Sequence, residues 1–151
     1  MVTLFTDISE LYTLKAAAKK QGRNIKEKDL SRIRKAAIVC EKGKILWIGP
    51  QAKLPKYKNA KKVSLDGAVV LPAFVECHTH SVFAGSRAEE FELRNQGVSY
   101  AEIARRGGGI ISTVRETRGA SLELLKKKAQ KNAERFIAQG VTTLEVKSGY
   151  G

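Results

Sequence analysis

Toward the C-terminal end of this 151-residue chain, a strand, a long helix and a second strand follow one another, and that order constrains the fold more than any other feature. Phe74-Val75-Glu76-Cys77-His78-Thr79-His80 alternates in the manner of a strand. From Ser121 to Gln139, Leu122, Leu125, Ala129, Ala133, Phe136 and Ile137 recur at three- and four-residue steps and form one apolar stripe. Ser121 is placed to cap the start of this helix and Gly140 to end it, while Glu123 and Lys127 have the spacing of an i,i+4 ion pair. Val141-Thr142-Thr143-Leu144-Glu145-Val146 is short and β-branched, which favours a strand. Together the three segments predict a βαβ unit and a parallel sheet. A further short helix is expected at Ser99–Arg105, interrupted by Gly107-Gly108-Gly109.

The first half has a different texture. Ala36–Glu41 and Lys44–Ile48 flank Lys42-Gly43 and read as a hairpin, with Gly49-Pro50 ending its second strand. Val2–Phe5 is apolar, and Ile8–Leu14 fits a strand or a short helix equally well. Lys19–Lys35 carries eight cations against Glu27 and Asp29 and reads as an exposed, partly mobile loop. Asp66-Gly67 is a turn, and Ala68–Leu71 is a short strand closed by Pro72. Residues 1–71 are therefore expected to form a small antiparallel β part, and residues 72–151 a separate α/β part.

Composition narrows the class without choosing a function. Hydrophobic residues are 42% and charged residues 28%, which excludes collagen-like and strongly disordered chains. Two isolated cysteines, Cys40 and Cys77, cannot make a disulfide framework. The N-terminus lacks the basic and apolar regions of a signal peptide, and no apolar run is long enough to span a bilayer. The expectation is a soluble protein of a reducing compartment, the cytoplasm. Lys and Arg total 28 against 15 Asp and Glu, a net charge of +13 that raises the question of an acidic partner.

His78-Thr79-His80 is the sharpest chemical feature. Side chains two apart on a strand share a face at about 7 Å between Cα atoms, so both imidazoles could reach one metal ion. Spacing alone leaves metal ligation and two hydrogen-bonded strand-end histidines both open. Arg87 and Arg94 follow among Glu89, Glu90 and Glu92, and arginine suits a bidentate grip on a carboxylate. Cys77 has the opposite parity to His78 and is expected to face away from the pair as a small buried hydrophobe. Glu76 shares the parity of the histidines, while Glu145 and Lys147 share a side with Thr143. Buried charges persist when paired, so Lys147 is expected to pair with Glu145 or Glu76 beneath the histidines.

Leu71-Pro72-Ala73-Phe74-Val75-Glu76-Cys77-His78-Thr79-His80 resembles the first barrel strand of the amidohydrolase superfamily, whose H-x-H metal pair follows a β part ending in Leu-Pro-Gly-Phe. Val82–Arg87, Glu90–Arg94, Gly107–Arg115, Thr117-Arg118 and Val141–Gly151, ending in Lys-Ser-Gly-Tyr-Gly, resemble the imidazolonepropionase family within it. The likeness is dense over residues 71–151 and looser, though co-linear, over 1–70. It departs at Ala73 and Cys77, where that family usually has Gly and Pro. The resemblance implies an α/β fold: a β-sandwich-like N-terminal part followed by the first β-α-β of an incomplete TIM barrel. It implies water-driven opening of 4-imidazolone-5-propanoate to N-formimidoyl-L-glutamate in histidine degradation, with one divalent metal, zinc or iron, held by His78 and His80. It implies that Arg87 and Tyr150 bind the substrate. The family's remaining metal ligands and its catalytic glutamate lie beyond the second barrel strand, so no catalytic residue is expected in residues 1–151. The missing barrel would come from the same polypeptide or a separate chain, and the complete enzyme as a homodimer. Residues 1–151 alone are expected to be inactive.

Other readings make different demands. Another amidohydrolase-superfamily cyclic amidase or deaminase would share H-x-H but not the Gly-Ser-Arg and Lys-Ser-Gly-Tyr-Gly set. A basic nucleic-acid-binding module would use the net charge, yet Lys126, Lys127, Lys128, Lys131 and Arg135 are dispersed along the outer helix face, and no recognised nucleic-acid motif accompanies them. A non-catalytic fragment would act only by pairing with another chain.

Overall fold

Val2–Tyr12 forms one long strand, β1, which resolves the ambiguity at Ile8–Leu14 in favour of a strand. In this computed structural model, which describes residues 1–148, the chain divides into two units, Met1–Pro72 and Ala73–Gly151. β1 organises the first. It pairs antiparallel with β2 (Arg32–Glu41), which pairs antiparallel with β3 (Lys44–Pro50) across the Lys42-Gly43 turn. Both turn residues have positive φ, 49° and 74°, the geometry of a tight hairpin turn. The other edge of β1 pairs parallel with β4 (Lys61–Ser64) and β5 (Val69–Val70).

This corrects the expected antiparallel, sandwich-like part. The described residues of the unit form a single five-stranded mixed sheet, ordered β3-β2-β1-β4 with β5 also on β1. β1 carries a register irregularity between Phe5 and Ile8, where Asp7 has φ 58°. The Asp7 amide donates to Gln51 Oε1 and its carboxylate accepts from Gln51 Nε2, which pins the irregularity. The Asp66-Gly67 turn interrupts the neighbouring edge at the same level, with Leu65 N donating to Thr6 O and Gly67 N to Asp7 O.

Ile8, Leu11 and Ala36 form the core of the unit, with Ile33, Ile38, Ile48, Leu65 and Val70 packed against them. Ile8 is 1% exposed, so Ile8→Ala is expected to cost about 2–5 kcal/mol, seen as faster amide exchange along the β1–β2 ladder. The segment expected to be a mobile loop is partly built instead. Lys15–Lys19 is a short helix, α1, Glu27–Leu30 is a 3-10 turn, and β2 already begins at Arg32. The nearly buried Asp29 carboxylate accepts from Lys20 Nζ at 2.6 Å and from the Lys26 amide at 2.9 Å. The Lys20 ammonium, ahead of that amide, holds its pKa below the usual aspartate value.

The second unit contains a parallel pair, β6 (Phe74–Thr79) and β7 (Val141–Val146). Four helices lie between them in sequence: α2 (Ala88–Asn95), α3 (Tyr100–Arg105), α4 (Ile110–Gly119) and α5 (Leu122–Ala138). The short helix and the long one fall where periodicity places them, whereas α2 and α4 lie in segments whose charge and glycine content hid them. Ser99 caps α3 and Ser121 caps α5, the latter through Leu124 N. Gly140 has φ 81° just past α5, as a helix-ending glycine requires. Along the stripe of α5, Leu125, Ala129, Ala133 and Phe136 are partly buried, whereas Leu122 and Ile137 at its ends are 66% and 65% exposed. Glu123 pairs with Lys126 rather than Lys127, because the i+3 ammonium reaches it at 3.4 Å.

Candidate active site

β6 delivers the histidine pair at its C-terminal end. His78 is in the strand and His80 just past it, with ring centroids 5.3 Å apart and planes at 74°. With zinc–nitrogen distances of about 2.0–2.1 Å, two imidazoles on one tetrahedral ion have ring centres roughly 5 Å apart. The spacing of the pair therefore fits two ligands of a shared metal, and neutral imidazole suits zinc and iron alike. Among the described residues, no group of three His, Cys, Asp or Glu side chains is arranged to hold a metal ion, so the pair fits as part of a site.

The strand end is tied down from the opposite side. Thr79, between the histidines, is buried, and its hydroxyl lies 2.8 Å from both the Glu145 carbonyl oxygen and Ser81 Oγ. The Lys147 amide donates to Thr79 O, and the His78 amide donates to the Glu76 carboxylate. The loop that follows is stapled to α4 and α5. Asn132 Nδ2 donates to Ser81 O, Ala84 N to Thr117 Oγ1 and Lys128 Nζ to Gly85 O. Lys128 thus turns inward, away from the outer helix face on which sequence patterning set it. A cleft of about 320 Å³ adjoins His80 beside α5, at the lower end of small-molecule pockets.

This loop leads to Arg87, immediately before α2. The Arg87 guanidinium contacts Glu90 Oε2 through Nε at 2.8 Å and Nη2 at 2.7 Å. The other oxygen of the same carboxylate accepts from the Gly109 amide at 2.8 Å. Arg87 first, and the Gly109 amide with it, hold Glu90 below the usual glutamate pKa against the opposing effect of burial. Sequence reasoning singled out Arg87 but not Glu90. The Arg87–Glu90 spacing was visible, yet nothing local marks Glu90 out from Glu89 and Glu92, and the Gly109 contact spans 19 positions.

Two expectations of burial need correction. Lys147 does pair with Glu145, one of its two expected partners, but the two side chains are 47% and 50% exposed, so this is no buried pair. Cys77 is exposed, like Val75 on the same parity, because that face of β6 is covered only near Thr79. β6 as a whole is correspondingly less buried than its apolar composition suggests. Tyr150, the other expected substrate contact, lies outside the described residues.

No protein-family model matches the chain. A prolidase solved with N-methylphosphonate-L-proline superposes with a TM-score of 0.54 at 12% identity, over 95% of this chain and 25% of that one. A triazine hydrolase from Arthobacter aurescens superposes with a TM-score of 0.54 at 16% identity, over 95% and 28%. The likeness to both is one of fold. Sequence likeness is far stronger to the imidazolonepropionase of Bdellovibrio bacteriovorus, 58% identical over 99% of this chain and 36% of the relative. The imidazolonepropionases of Paracoccus denitrificans and Pseudomonas putida are 52% and 55% identical over 79% and 80% of the chain, each at 30% of the relative's length. The chain belongs with the N-terminal part of the imidazolonepropionase family, and it spans about a third of the length of these relatives.

Proposed function

We propose that this chain supplies the first part of a hydrolase that opens the ring of 4-imidazolone-5-propanoate with water, giving N-formimidoyl-L-glutamate in histidine degradation. The observation that carries this reading is the 58% identity to a named imidazolonepropionase across nearly the whole chain. The domain reading that goes with it is a small β part, residues 1–71, followed by the opening β-α-β of a TIM barrel, residues 72–151. The parallel pairing of β6 with β7 supports that reading. The enzyme acts in the cytoplasm, consistent with two free thiols.

In this reading His78 and His80 hold one divalent metal, zinc or iron. Such an ion would supply Lewis acidity, which lowers the pKa of a bound water toward neutrality. Arg87 receives the propanoate carboxylate of the substrate, for which a guanidinium is geometrically matched. Tyr150 donates a hydrogen bond to a polar ring atom. Thr79, Asn132 and Thr117 keep the metal strand and its following loop in place. The group that moves the proton during ring opening comes from the rest of the barrel, which completes the site from the same polypeptide or another chain, and the complete enzyme is a homodimer.

The test is a completed enzyme, in which residues 1–151 replace the matching segment of the Bdellovibrio bacteriovorus relative. It is expected to convert 4-imidazolone-5-propanoate to N-formimidoyl-L-glutamate, followed by mass spectrometry, and to leave hydantoins and nucleobases intact. A folded chimera that turns over those rings instead supports a different amidohydrolase.

A further inference from the structure

The Arg87–Glu90–Gly109 contacts join three segments that the sequence keeps apart: the loop after the histidine pair, the first turn of α2 and the glycine-rich turn before α4. The Glu90 side chain is 15% exposed, and its two oxygens are divided between two donors. Oε2 takes the Nε and Nη2 groups of Arg87, and Oε1 takes the Gly109 amide. The turn is shaped to admit this carboxylate. A Cβ on Gly108 would stand 2.9 Å from Glu90 Oε1, 2.8 Å from Ile103 Cγ2 and 3.0 Å from Ile103 O. Gly109 has φ 79°, and a Cβ there would stand 3.1 Å from the Tyr100 hydroxyl. Two adjacent glycines thus let the backbone close over Glu90, and the carboxylate carries that constraint to the arginine.

A flexible arginine loses rotamer entropy when it grips an anion, and one already held by a carboxylate loses less. We propose that Glu90 is a positioning residue: it fixes the guanidinium of Arg87, through the Gly108-Gly109 turn, in the orientation that receives the carboxylate of the substrate. This rests on the proposed function, in which Arg87 binds that carboxylate. Glu90 does not touch the substrate. Its oxygens are engaged by Arg87 and Gly109, and its effect on binding passes through Arg87. A glutamine cannot replace it, because a carboxamide has one acceptor oxygen for two sets of donors and would turn its NH2 toward one of them.

The experiment uses the completed enzyme described above. Glu90→Gln is expected to raise KM for 4-imidazolone-5-propanoate about tenfold while kcat changes less than threefold. In an Arg87→Ala background the same substitution is expected to change KM less than twofold, since its route of action is gone. Glu90→Asp keeps both acceptors and is expected to restore much of the loss. Glu90→Ala, with and without Arg87, serves as the probe should the glutamine variant fail to fold, with the same expected rise in KM only where Arg87 is present. An unchanged KM in Glu90→Gln, or an equal fall in kcat/KM with and without Arg87, overturns the positioning role while leaving the ring-opening function intact. A folded parent enzyme that does not open the ring instead overturns the function, and the role of Glu90 falls with it.

Discussion

Replacing either His78 or His80 by alanine is expected to remove ring opening from the completed enzyme, with turnover lower by at least about a thousandfold. Partners in the outer shell of a metal site are alone worth roughly 10–100-fold, and a ligand itself is worth more. The two rings sit 5.3 Å apart on a strand end held by Thr79, Ser81 and the Lys147 amide, so neither can swing to serve for both. Metal analysis of the purified variants should show less than one zinc or iron per chain where the parent binds one. Glu76→Gln serves as the control. It keeps an oxygen to accept the His78 amide and is expected to leave metal content unchanged. Full turnover in either alanine variant would remove the pair from the metal site.

A polypeptide of residues 1–151 alone is expected to self-associate at micromolar concentration and to show no ring opening. Among the described residues the two-stranded sheet offers unpaired outer edges of β6 and β7, and unpaired edges template association. Apolar side chains around it are open to water: Phe74 is 56% exposed, Val75 68%, Val146 47%, Leu122 66% and Ile137 65%. Patches of this kind mark surfaces built to be covered. Sedimentation velocity should show species heavier than 16.6 kDa that shift toward the monomer in a Val75→Lys, Ile137→Lys variant. A monomer with cooperative unfolding at that concentration would show that the exposed faces need no cover. The expected absence of turnover rests on the proposed metal role of the two imidazoles, which have no third ligand arranged beside them among the described residues.

Much of this was legible in the sequence because it is local. A two-residue repeat places His78 and His80 on one side of a strand wherever that strand packs. The three- and four-residue steps of α5, capped by Ser121 and ended by Gly140, specify a helix whatever surrounds it. The turn at Lys42-Gly43 sets the register of β2 against β3 from the backbone of two residues. The H-x-H pair and the motifs around it were sufficient to indicate the family.

The tertiary structure decided what depends on distant partners. β4 and β5 pair parallel with β1, a pairing between segments about sixty residues apart that no local period encodes. Lys147 was expected in a buried pair from strand parity, yet burial depends on what lies over the face, and parity is silent about cover. Glu90 resembles its acidic neighbours in sequence. It differs only because a turn without side chains, 19 positions away, comes close enough to donate an amide to it. Periodicity and capping act over one or two turns of chain and can be read from one segment. A hydrogen bond between separate segments exists only once the chain has closed the loop between them, so the link from the histidine loop through Arg87 and Glu90 to the glycine turn belongs to the folded state alone.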